Sequence, residues 1–249
     1  MLQLIAMAFL LIPPPPEPQF DRKRFERIDT AVEEAIRAGK CPGAVVVVMC
    51  KNQIIFEKAY GHRSVAPEKV PMTLDTVFDM ASLTKPLATA TSIHVLVEQA
   101  KLTLADRVSK HWPAFAANGK EAITIEQCLL HVSGLTADNS IADYKGTRAE
   151  MLANIANLKL EAPPGTRFRY SDVGFIVLGE LVERVSGMPL DSFAKKFVFG
   201  PAGMELTIFN PPDRLKQKIA PTGQRDGKQI RGEVHDPRAF ALKDRKSVV

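Results

Sequence analysis

Phe78-Asp79-Met80-Ala81-Ser82-Leu83-Thr84-Lys85-Pro86 is the stretch on which the reading of this chain turns. Ser82 and Lys85 stand three residues apart, and on a helix that spacing puts both side chains on one face. A serine at a helix start also feels the positive end of the dipole, which favours an anionic oxygen. A lysine beside it becomes a base when desolvation or a nearby cation lowers its pKa. Pro86 falls in the first turn, where proline is tolerated. Ser82 is therefore a candidate nucleophile, with Lys85 as its activating partner.

The spacing alone is a weak signal. Ser192-Phe193-Ala194-Lys195 repeats it and reads as an ordinary amphipathic helix. Context separates the two. Behind Ser82, Leu87, Ala90, Ile93, Leu96, Val97 and Ala100 share one helical face. Capping boxes at Thr124-x-x-Gln127 and Thr147-x-x-Glu150 open further helices. Val173 to Val185 and Pro189 to Phe199 are two more helical runs. Upstream, Phe25, Ile28, Val32, Ala35 and Ile36 mark a helix that stops at Gly39. Ala44 to Met49 follows as a buried strand, and Lys51-Asn52-Gln53 turns it into a second one, Ile54 to Tyr60. A helix-plus-hairpin layer leading into a helical layer is an α+β pattern. After Asn210-Pro211-Pro212 only weak strand signals remain.

Two later segments agree with the first. His131-Val132-Ser133-Gly134-Leu135 ends a helix in a turn, and Pro163 to Asp172 runs straight into the helix beginning near Val173. In this order and at these separations, the three segments resemble the class C β-lactamase, DD-peptidase and related esterase superfamily. The resemblance runs from about Phe25 to Leu242. It implies a β-lactamase/transpeptidase-like α+β fold, an antiparallel sheet with a helical domain. It also implies an acyl-enzyme formed on Ser82 with help from Lys85, and no metal or organic cofactor. Tyr170-Ser171-Asp172 stands where that family carries Tyr-x-Asn, which makes Tyr170 a proton shuttle and Asp172 a substrate-binding residue. Asp172 departs from the commoner Asn. The His-x-Ser-Gly-Leu segment matches a signature that is structural in the family. The implied substrates are small esters, β-lactams or D-alanyl peptides, and Asp172 tilts the choice toward esters.

The residues also admit plainer readings. Tyr170 fits a half-buried aromatic at a helix entrance, and Ser171 or Asp172 fits a helix cap. His131 fits a hydrogen-bonded structural residue better than a base. Histidines 62, 94, 111 and 235 share no ligand spacing, so no metal is expected. Without a Gly-x-Ser-x-Gly elbow, a conventional α/β-hydrolase is disfavoured. The family's third motif, Lys-Thr-Gly or His-x-Gly, has no counterpart after Tyr170. The sequence thus reads as missing its C-terminal part, with an incomplete sheet and impaired activity. A non-catalytic penicillin-binding or sensor module, or an inactive fragment, is the alternative.

Composition bounds the rest. With 45% apolar and 24% charged residues, the 249-residue chain has enough apolar material for a packed core. The net charge of +5 lies wholly in the segment Asp213 to Val249, which carries ten Lys/Arg against five Asp/Glu. Phe240 is the one aromatic among them, so a base-stacking platform is lacking and no nucleic-acid partner is expected. Cys41 and Cys50 bracket one strand, about 30 Å apart at ~3.3 Å per residue, far beyond disulfide reach. The apolar run Met1 to Ile12, ahead of Pro13-Pro14-Pro15-Pro16, falls short of the roughly 20 residues of a membrane span. It fits the hydrophobic part of an export signal, placing the protein in the periplasm or outside the cell. Residues 1–20 are then a leader and Pro-rich linker, and 21–249 one hydrolase domain.

Overall fold

A computed structural model describes residues 21–242, so the apolar leader, the proline run and residues 243–249 lie outside the described residues. The chain divides into two compact units at Leu74/Asp75, each taken here by itself.

In the first unit, helix α1 (Glu26–Arg37) carries Glu26 and Asp29 in its first turn and Arg37 in its last, charges that complement its dipole. It ends as expected at Gly39, which takes a left-handed φ of 69°. Strands β1 (Gly43–Cys50) and β2 (Gln53–Ser64) form an antiparallel hairpin with Cys50 opposite Gln53. The turn is two residues, not three. Lys51 and Asn52 are both left-handed, at φ 46° and 63°, so their twist matches that of the flanking strands. β2 runs four residues beyond the expected Tyr60 and pairs with β3 (Val70–Pro71). The helix meets the sheet through Phe25 and Phe56, whose ring centres lie 5.1 Å apart. Asp29 accepts from the Tyr60 hydroxyl at 2.6 Å and from Lys58 at 2.7 Å.

The second unit is helical around α6. Its helices are α2 (Thr91–Glu98), α3 (Val108–His111), α4 (Ile125–Leu129), α5 (Arg148–Ala156), α6 (Asp172–Ser186), α7 (Leu190–Ala194) and α8 (Pro237–Ala241). Both capping boxes are formed, at Thr124 with Gln127 and at Thr147 with Glu150. Every residue of α6 from Val173 to Val182 is buried, so this helix is apolar all round and forms the axis of the core. Ile93, Leu96, Ile125, Ile155 and Phe193 belong to that same core. Glu180 sits within it only because Arg148 and Arg184 each reach its carboxylate at 2.8 Å.

The expected helix from Pro189 to Phe199 is instead α7 followed by a π-helical turn, Lys195–Phe199. Beyond Pro212, the weak strand signals resolve into a short hairpin of β4 (Gly223–Arg225) and β5 (Lys228–Ile230). The described residues thus hold a three-stranded sheet and a two-stranded one beside the helices, an α+β arrangement. No helix among them is long and apolar enough to cross a membrane.

Candidate active site

Ser82 is aimed by the backbone just ahead of it. Ala81 takes a left-handed φ of 47°, a strained conformation for a residue with a Cβ. Asp79 holds it there, accepting the Ala81 N–H at 2.8 Å with a carboxylate that is only 3% exposed. The chain then winds three ways in succession: a 3-10 turn at Ala81–Leu83, a π-helical stretch at Lys85–Ala90, and α2. The uniform helix read from the sequence is corrected here. Pro86 brings no N–H and its ring crowds the preceding turn, which a wider winding accommodates. Thr91 takes up the slack by donating its hydroxyl to the Pro86 carbonyl at 2.7 Å.

The winding still leaves Lys85 Nζ 3.2 Å from Ser82 Oγ. The Lys85 side chain is 14% exposed, pairs with a carboxylate oxygen of Asp172, and lies 4.9 Å from the centre of the Tyr170 ring. Burial pulls the ammonium's pKa down, but Asp172 and then Tyr170 outweigh it, so Lys85 stands above the ordinary lysine value. The expectation of a lysine lowered by desolvation or a cation is thereby reversed, because the nearest charge is an anion. In the resting site Lys85 is an ammonium that donates to Ser82. At the second Ser-x-x-Lys match, Ser192 turns instead to Asp191 and Lys195 is exposed.

Ser171 and Asp172 divide the two roles the sequence left open between them. Ser171 is the N-cap of α6, its buried hydroxyl accepting from Gly174 N–H at 3.0 Å and donating to the Thr136 carbonyl at 2.6 Å. Asp172, one residue inside the helix, is left to face Lys85. Tyr170 stands at the helix entrance, about half exposed, with its ring 4.6 Å from that of His131. His131 Nδ1 accepts the Ser171 N–H at 3.0 Å, which puts its proton on Nε2. Burial and then the Lys85 charge hold its pKa low, so it remains neutral. His131 is therefore a brace for the Tyr170-Ser171 segment.

Gly134 explains why the His-x-Ser-Gly-Leu segment admits no side chain at its glycine. Its φ is 77°, and a Cβ would lie 2.1 Å from the Ala162 carbonyl oxygen. Gly134→Ala is expected to cost about 3 kcal/mol or more, lowering the melting temperature by roughly 6–12 °C. Gly119→Ala is the control, because φ is also left-handed there (78°) but no atom lies within 4 Å. A melting temperature for Gly134→Ala no lower than that of Gly119→Ala would refute the crowding argument.

Ser82, Lys85 and Asp172 open into a cleft of about 170 Å³ whose far side is formed by His235, Asp236, Arg238 and Ala239. Tyr170 does not line that cleft but approaches it through Lys85. The sequence reading missed both Asp79 and His235. The two meet at 2.9 Å across 156 residues of chain, so no local spacing could reveal them.

Among curated proteins, the chain is 31% identical over 260 residues to an N-acetylmuramyl-L-alanine amidase of Bacillus subtilis (strain 168). That alignment covers 91% of this chain and 59% of the relative, so the chain spans about three-fifths of that protein's length. Among solved structures it is similar to EstCE1, described as a hydrolase with promiscuous acyltransferase activity (TM-score 0.71, 28% identity, 85% of this chain and 59% of that one). It shares its fold with an octameric penicillin-binding protein homologue from Pyrococcus abyssi (TM-score 0.73, 24% identity, 92% and 53% covered). Residues 28–241 match the family model described as Beta-lactamase. With that match covering nearly all of the described residues, the chain belongs to the beta-lactamase family.

Proposed function

We propose that this chain carries the acylating site of a serine hydrolase that acts on small esters, with β-lactams and D-alanyl peptides as the related substrates. The observation that carries this reading is the 3.2 Å approach of Lys85 Nζ to Ser82 Oγ at the mouth of the cleft. Ser82 Oγ attacks the carbonyl carbon while its proton passes to Lys85, in the fraction of molecules where Lys85 is the free amine. Tyr170 relays the proton to the leaving oxygen, and the carbonyl–oxygen bond of the leaving group breaks to leave an acyl-enzyme. Asp172 sets how often Lys85 is free, and its anionic charge disfavours carboxylate groups in that part of the cleft. A neutral ester escapes this penalty, which favours esters over anionic substrates.

The test is covalent labelling. A fluorophosphonate is expected to add one adduct to the intact mass of the wild-type chain, on the peptide containing Ser82. A folded chain that stays unlabelled, or is labelled on another serine, would rule the reading out.

A further inference from the structure

Hydrolysis of an acyl-enzyme needs a base for water, and the site as described is short of one. Lys85 is held as the ammonium by Asp172. His131 has spent its one lone pair on the Ser171 N–H. His235 differs from both. Its Nδ1 lies 2.9 Å from a carboxylate oxygen of Asp79, and a carboxylate only accepts, so the proton is on Nδ1 and the lone pair on Nε2. Among the described residues nothing bonds to Nε2, and His235 lines the same cleft as Ser82. Its backbone is fixed as well. Arg225 donates to the carbonyls of Val234 at 2.6 Å and His235 at 3.3 Å, and Asp236 caps α8 at the Ala239 N–H. Asp79 therefore orients the nucleophile through Ala81 with one oxygen and His235 with the other.

We propose that His235, oriented by Asp79, is the general base that activates the deacylating water in this cleft. The proposal rests on Ser82 being the nucleophile. Water's oxygen lone pair forms the new bond to the acyl carbon while one of its protons passes to His235 Nε2. The tetrahedral intermediate collapses by breaking the carbon–Oγ bond, whose electron pair returns to Ser82. Lys85 protonates that oxygen, and the imidazolium restores the proton to the Lys85 amine through the water of the cleft. No oxidant, metal or further reactant is needed.

The experiment follows p-nitrophenyl acetate hydrolysis together with rapid-quench intact mass, in wild type, His235→Ala and Asp79→Asn, each checked for folding by thermal melting. His235→Ala is expected to form the acetyl-enzyme but to turn over about 10²–10⁴-fold more slowly, so the adduct accumulates. Added imidazole is expected to restore turnover and drain the adduct, a rescue that a merely structural histidine would not allow. Asp79→Asn gives a second route. Its amide oxygen keeps the Ala81 N–H, while its NH₂ donates to Nδ1 and drives the proton onto Nε2, so the acetyl-enzyme should again accumulate. Unchanged turnover in His235→Ala, or a slow phase that imidazole leaves untouched, overturns the proposal. A wild-type chain that forms neither acetyl nor fluorophosphonate adduct sinks the Ser82 reading instead, and the proposal with it.

Discussion

Ser82→Ala is expected to lower ester turnover by about 10⁴–10⁶-fold, because a covalent route loses its only nucleophile and no partial substitute is at hand. Methyl for hydroxyl removes one hydrogen bond to Lys85 from an exposed position. Stability should therefore stay within about 0.5 kcal/mol of wild type, and the loss will be chemical rather than structural. Paired measurement of initial rates and melting temperature checks both halves. If the variant keeps more than a tenth of wild-type turnover, Ser82 is not the nucleophile.

Asp172→Asn carries the second large effect, with a sign opposite to ordinary active-site damage. Asp172 raises the pKa of Lys85, and Asn keeps the side chain's shape without its charge. Losing a contacting opposite charge typically moves a pKa by about 1–3 units, here downward. The acid limb of the acylation rate profile should move to lower pH by about that much, and acylation at neutral pH should quicken. A limb that stays put means Lys85 is not the base for acylation. The same change weakens the fold. Lys85's folded-state pKa lies above its unfolded one, so its stabilisation is full below the unfolded value and fades as pH rises through the folded one. Asp172→Asn should thus melt lower at neutral pH, and the gap should close only in strong alkali. The variant trades stability for a more available base.

Part of the site was readable because its chemistry is local. Ser82 and Lys85 are three residues apart, and any helical winding in use there brings their side chains together. Capping boxes at Thr124 and Thr147 are likewise decided within four residues, and both formed as read. The hairpin turn at Lys51-Asn52 needed only two adjacent left-handed residues. The β4–β5 hairpin carried an equally local signal, Asp226-Gly227, both left-handed in the structure. Its strands of three residues are too short to show a two-residue alternation, so the pattern around the turn stayed silent.

Periodicity also failed where windings change. A 3.6-residue repeat cannot distinguish an α-helix from one that opens into π-helical turns at Lys85–Ala90 and Lys195–Phe199. Lys120 shows the same limit for burial. By type it belongs on the surface, yet it is fully buried, its amine bonded to the carbonyls of Ala117 and Leu158. Those acceptors come from two separate segments, and only folding brings them within reach of one side chain.

By itself, then, the sequence determined the nucleophile candidate, its lysine, the caps and the first hairpin, since each depends on neighbours within a turn or two. Tertiary structure decided the charge state of that lysine, the division of labour between Ser171 and Asp172, and the meeting of Asp79 with His235. Electrostatic state follows from which charge sits within a few ångströms, and that distance is set by packing rather than by position along the chain.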